Sequence, residues 1–244
     1  MQIDFVKTPY KTWPSMNKHT GPIFNPNPDP RYIKEKEKEL KRWGGDLHAK
    51  SKEEFEFNLI KQAQKYCGFE ENGNLLHLAL NLEEDIAIMK NGKLGAICFC
   101  FPSSWIPADR IGLFLEQIHR PVADGDRLVK MSKRLTETMA DENVGSMIRH
   151  VWTITPNGRL SNHPGYARPS FRNIEDLYFR VETQTTVPLK DYTSLFFVKV
   201  DVVPLLEVWD QKEIILDSIN SMSDAILTYK NLHEIKELLN KQGE

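Results

Sequence analysis

The chain has 244 residues, 40% hydrophobic and 27% charged, with 32 basic side chains nearly balancing 34 acidic ones, the profile of an ordinary water-soluble globular protein. That balance gives no reason to expect a nucleic-acid or membrane partner: no apolar run approaches the ~20 residues needed to cross a bilayer. Three cysteines, Cys67, Cys98 and Cys100, are too few and badly spaced for a disulfide framework, a zinc ribbon or an iron–sulfur cluster. The opening Met1-Gln-Ile-Asp4 lacks the charged-then-apolar layout of a signal peptide, so the cytoplasm is the expected location.

Residues 1–30, Pro/Asn-rich and ending in Phe24-Asn-Pro-Asn-Pro-Asp-Pro30, suit neither a regular helix nor a central strand. They are expected to form an extended arm wrapping one domain made of residues 31–244. Arg31–Trp43 reads as a charged, exposed helix stopped by Gly44-Gly45. Ser51 with Glu54 forms a capping-box pattern that opens a second helix, with Phe55, Leu59, Ile60 and Ala63 at helical spacing up to Gly68. Residues 84–101 then change period, and Asn91-Gly92 between two apolar runs predicts a β-hairpin with a type I′ turn. A short helix is expected from Pro107, with Ile111, Phe114, Leu115 and Ile118 on one side, ending beside His119 because Pro121 blocks it. Helical spacing resumes over Asp124–Asp141. Ser146–Thr155 is β-rich, and a proline-bearing loop separates it from two long strands, Leu177–Val187 and Ser194–Val203. Trp209–Tyr229 and Leu232–Asn240 close the chain as helices. The sum is an α+β fold: an antiparallel sheet of about five strands with helices packed on one side.

His119 stands where an apolar helix stops and a proline sets the exit, so its ring is held. A held, neutral imidazole can ligate iron; a histidine at a helix C-terminus also simply favours the helix dipole. Arg149 and Arg180 lie inside core strands, where a guanidinium needs an anionic partner: a haem propionate or a carboxylate such as Glu182 or Glu84. Arg180, Glu182 and Gln184 share one face of an alternating strand, which means either solvent exposure or a polar site. Trp105 and Trp152 suit the flank of a porphyrin, and equally suit an ordinary core. Glu83-Glu84-Asp85 reads better as an acidic element junction than as a metal or proton-transfer site, and Cys98 with Cys100 as small buried hydrophobes. No Gly-rich phosphate loop, HExxH motif or Gly-x-Ser-x-Gly elbow occurs.

Four blocks, in order, carry a resemblance. They are Glu84-Asp-Ile-Ala-Ile-Met89; Cys98-Phe-Cys-Phe-Pro-Ser-Ser-Trp105 running into Asp109-Arg-Ile-Gly112 and Ile118-His-Arg-Pro-Val122; Arg149-His-Val-Trp152; and Phe179-Arg-Val-Glu-Thr-Gln-Thr185 leading to Leu195-Phe-Phe-Val198 and Val203-Pro-Leu205. Together, over about residues 78–206, they resemble the alpha-subunit-like family of haem-dependent oxidative N-demethylases.

The resemblance implies a PAS-like domain binding one b-type haem, and a monooxygenase that uses dioxygen to convert a small N-methylated amine, typically dimethylamine, to the shorter amine and formaldehyde. It implies electrons from a separate NADPH-dependent reductase carrying flavin and iron–sulfur modules, since this chain has neither the cysteine set nor a dinucleotide fingerprint. Matched by position, it makes His119 the iron ligand, gives Arg149 and Arg180 propionate or site-ordering contacts, and gives Glu182 amine recognition or proton transfer. The chain departs from the family's pattern at Ala123 and Val151, where a Pro and an Asn are usual, and at Cys100 and Thr183, so an altered pocket is expected. Two other readings stay open on the residues alone: a haem-binding sensor or carrier without catalysis, and a small-molecule-binding domain without haem.

Overall fold

Asn91 and Gly92 adopt φ values of 50° and 81°, the left-handed pair that a type I′ turn demands, and they close the hairpin expected between residues 84 and 101. The computed structural model describes residues 1–13 and 15–243. In chain order its strands are β1 (Asn17–Lys18), β2 (His48–Lys50), β3 (Asp85–Lys90), β4 (Lys93–Cys98), β5 (Met147–Thr155), β6 (Tyr178–Leu189) and β7 (Thr193–Pro204). They form one antiparallel sheet in the order β1-β5-β6-β7-β3-β4-β2. Among the described residues seven strands thus replace the five expected. The two additions, of two and three residues, are edge pieces too short to show a hydrophobic period.

Because side chains alternate across a strand, the register sorts the sheet into two faces. On one, Ile86, Ile88, Ala96, Cys98, Leu195 and Phe197 pack with Leu59, Ile60 and Ala63 of the helix Leu59–Cys67 and with Leu78 of Leu75–Ala79. Further along the same face, Trp152, Ile154, Phe179 and Val181 pack beneath Ile215, Ile219, Leu227 and Ile235 of the C-terminal helices Lys212–Asn220, Asp224–Lys230 and His233–Gly243. The opposite face presents Ala87, Met89, Ile97 and Phe196, then Gln184, Glu182 and Arg180, to a cavity walled on its far side by the helices Leu115–His119 and Asp126–Met139. Helices therefore flank both faces, correcting the one-sided arrangement expected, because both faces of β3, β4 and β7 carry apolar side chains that must be covered.

Several helices differ from their expected bounds for local reasons. Gly44-Gly45 does not stop the first helix, which runs Pro30–Leu47 with a kink at Trp43 (φ −128°, ψ 17°); the Trp43 ring stacks on His163 at 4.3 Å between centroids, which anchors the kink. Ser51 caps the second helix through the Glu54 amide, but left-handed Asn58 (φ 51°) interrupts it before it resumes and ends at left-handed Gly68. The segment from Pro107 to His119 splits into a 3-10 turn, Pro107–Arg110, and the helix Leu115–His119, with Gly112 at φ 76° between them. The expected 209–229 helix likewise divides into the 3-10 segment Leu205–Gln211 and the helices Lys212–Asn220 and Asp224–Lys230. The N-terminal arm lies on the surface for much of its length, yet Ile3 and Val6 are fully buried in the second core and tether it. No helix among the described residues is long and apolar enough to cross a membrane.

Candidate functional site

Between the sheet face of Ala87, Met89 and Glu182 and the two helices beyond it lies a cavity of about 1120 Å³, larger than the ~300–1,000 Å³ usual for small-molecule pockets. Its wall is divided. Met89, Leu94, Ile97 and Phe196 from the sheet, with Ile118, Leu128, Leu135 and Met139 from the helices, make an apolar lobe; β5, the loop after it and the N-terminal arm add polar and cationic side chains. His119, Arg149, Arg180, Glu182, Trp105 and Trp152, spread over 78 residues of sequence, all border this one space.

The ring of His119 sits at the end of its helix with Nδ1 2.9 Å from the carbonyl oxygen of Leu115. A carbonyl only accepts, so Nδ1 carries the proton and donates it, leaving Nε2 as the nitrogen with the lone pair. Burial pushes this imidazole down to about 4; the Leu115 hydrogen bond works against that shift and the positive charge of Arg149 adds to it. At neutral pH the ring is therefore uncharged, with one nitrogen oriented by a backbone acceptor and the other able to donate to a metal, the arrangement of a histidine ligand with its supporting contact.

A polar ladder crosses the wall. Arg149 stands directly opposite Gln184 in the β5–β6 register, and its Nε donates to Gln184 Oε1 at 2.7 Å. Gln184 Nε2 donates to Glu182 Oε2 at 2.9 Å, and Ser103 Oγ donates to Glu182 Oε1 at 2.5 Å. Arg180, fully buried, donates from Nε to Ser103 Oγ at 3.2 Å, from Nη2 to the Phe101 carbonyl at 2.8 Å, and from Nη1 to the Leu160 carbonyl. Its Nη2 also lies 3.8 Å from Glu182 Oε1. Burial lowers the pKa of both arginines, and the charge of Glu182 opposes the shift in each. Of the two readings of the Arg180, Glu182, Gln184 face, the polar site is the one the fold adopts. The fork of Arg180 is largely committed to tying the 101–103 and 160 loops together.

The two tryptophans part company. Trp105 is half-buried on the cavity wall, edge-on to Phe99 at 5.6 Å. Trp152 borders the cavity, but its ring turns to the other sheet face and stacks on Phe179 at 5.5 Å, so its indole belongs mainly to the core. The acids at 83–85 act as structural pins. Glu83 accepts from the Asp29 amide, from Asn25 Nδ2 and from Lys199, while Asp85 accepts from the amides of Cys100 and Phe101 and lies 3.6 Å from buried Lys36. Cys98 and Cys100 are buried free thiols, Sγ to Sγ 4.0 Å. Val151, one of the departures from the family pattern, lies directly across from Glu182 and lines the cavity. Reasoning from sequence missed Ser103, which joins Glu182 to Arg180, and the arm residues around Tyr10 that wall the cavity; a hydroxyl in a loop and an aperiodic arm leave no pattern to read.

Among the described residues no group of three or more His, Cys, Asp or Glu side chains is arranged to hold a metal ion. An iron beside His119 would therefore bring most of its ligands with it, as a porphyrin iron does, and the size of the cavity, its apolar lobe and its cationic side chains fit a flat, largely apolar macrocycle with acidic groups on one side. A search of curated proteins finds no match to the chain. The model of the family described as haem-dependent oxidative N-demethylase, alpha subunit-like, matches residues 33–240, and the chain belongs to that family.

Proposed function

We propose that the cavity would hold one b-type haem, with His119 Nε2 as the group that would ligate its iron, and that the protein is a monooxygenase demethylating a small N-methylated amine of the dimethylamine type. The observation that carries this reading is the fixed Nδ1 of His119, bonded to the Leu115 carbonyl at the wall of a macrocycle-sized space. A PAS-like haem fold, implied by the resemblance in sequence, belongs to the same reading.

Haem when bound supplies the activation of dioxygen: amine, O₂, two electrons and two protons become the demethylated amine, formaldehyde and water. The apolar lobe keeps water from the reacting methyl group. Arg149 would meet a propionate; Arg180 holds the loop that presents Ser103 to Glu182 of β6. The carboxylate of Glu182, held at both oxygens by Ser103 and Gln184, faces the amine nitrogen and takes up its proton at Oε1 or Oε2. Electrons would come from a separate NADPH-dependent reductase with flavin and iron–sulfur modules, as the resemblance in sequence implies. Protein reconstituted with haem and given an electron donor is expected to release formaldehyde from a methylamine panel. Bound haem that exchanges gas ligands without any turnover would instead mark a sensor or carrier.

A further inference from the structure

The cavity is more positive than a haem requires. Exposed Lys7, Lys11 and Arg168 and half-buried Arg110, Arg149 and Lys230 join Arg180 on its lining, where Glu182 is the one carboxylate among the described residues. The whole chain is nearly neutral at −2, so this excess is local. The cations come from five separate stretches of the chain: the arm, β5, the loop after β5, the turn Pro107–Arg110 and the end of the helix Asp224–Lys230. Two propionates balance only two of them. Lys230 and Arg168 also donate to the carbonyls of Trp152 (2.8 Å) and Asn231 (2.7 Å), but a carbonyl neutralises no charge. Lys7, Lys11, Arg110, Arg168 and Lys230 form no ion pair with any described residue.

A dialkylammonium ion entering this field meets like charge, which opposes binding. An amine that also carries a carboxylate meets complementary charge, and the positive surroundings favour its nitrogen in the neutral form, with the lone pair free. Resting on the demethylase reading, we propose that the substrate is a small N-methylated amino acid, N-methylglycine being the simplest, and that the guanidinium of Arg110, a half-buried residue, receives its carboxylate. The planar fork of arginine suits a carboxylate at two points, and Arg110 follows Trp105 on the same stretch of wall.

The test is isothermal titration of the haem-loaded protein with N-methylglycine and with dimethylamine, at low and high ionic strength. N-methylglycine is expected to bind at least tenfold more tightly, and to weaken as salt rises. Arg110→Gln is expected to weaken it by about tenfold, the scale of one charge-assisted hydrogen bond, and Arg110→Lys to recover part of the loss. Dimethylamine binding as tightly or more tightly overturns the proposal, as does N-methylglycine binding that ignores both salt and Arg110→Gln. Formaldehyde release separates the two claims. Turnover of dimethylamine with no preference for the acid overturns the carboxylate proposal alone; tight, salt-sensitive binding of the acid with formaldehyde from neither compound supports the carboxylate site and overturns the demethylase reading.

Discussion

The proton on His119 Nδ1 points at the carbonyl oxygen of Leu115, one helical turn earlier and 2.9 Å away, and that single bond decides which nitrogen of the ring can reach a metal. The short helix Leu115–His119 thus both delivers the imidazole and sets its tautomer. Around it, the strand pairing of β5 with β6 brings Arg149 of one sequence block beside Gln184 and Glu182 of another.

Arg180 is the keystone of the two loops that frame Glu182. Arg180→Ala strands the carbonyls of Phe101 and Leu160 and leaves Glu182 short of its buried counter-charge. The expected loss is about 3–5 kcal/mol, the range for removing one partner of a buried charged pair, read from urea unfolding at pH 7. Arg180→Lys is expected to keep the charge but lose the fork, and to remain destabilised by more than about 1 kcal/mol.

Glu182→Gln keeps the shape and removes the charge. Formaldehyde release is expected to fall by about 100-fold or more, the scale of a lost proton-transfer group, while the haem spectrum stays that of the parent protein. Unchanged turnover would remove Glu182 from the reaction and leave it a structural member of the ladder.

Gly165 holds the proline-bearing loop against the kinked first helix. A Cβ placed there would lie 2.4 Å from Trp43 Cη2, and the ring has nowhere to go because it is stacked on His163. Gly165→Ala is expected to cost about 1–3 kcal/mol and to lower the melting temperature. Because His163, Pro164 and Tyr166 wall the cavity, the same substitution should also speed haem loss to a scavenger protein.

Glu84 supplies a pH signature. Its Oε2 is buried without a hydrogen-bond partner, and burial raises its pKa above the ordinary carboxylate value, with Lys36 and backbone amides opposing the shift. A carboxyl whose folded pKa is raised favours folding when protonated, so this group's stabilising contribution is complete below about 4.5 and is lost as pH rises through the folded value. Glu84→Gln is therefore expected to stabilise the protein by about 1 kcal/mol at pH 7, with the difference vanishing near pH 4. Denaturant midpoints of the two proteins across that range provide the check.

Much of the framework was legible because its signals are local. Asn91-Gly92 announced the hairpin, Ser51 the helix start, and the alternation of Arg180, Glu182 and Gln184 their common face. What stayed hidden depends on contacts distant in sequence. Trp43 and His163 let a helix run through two glycines, and β1 and β2 exist only because β5 and β4 offer edges to pair with. The direction of Trp152 was undecided until the register set Arg149 and Trp152 on opposite faces of one strand. Ser103 gained its place only once Arg180, 77 residues away, was seen to bind it.

The absorption spectrum of the protein expressed with added haem, compared with that of His119→Ala, tests the central claim most directly. The account predicts a Soret band in the parent protein that disappears or shifts in the variant, with added imidazole restoring it. A parent without a Soret band would contradict haem binding outright, and an unchanged band in the variant would move the iron ligand to His150 or His163, which also line the cavity.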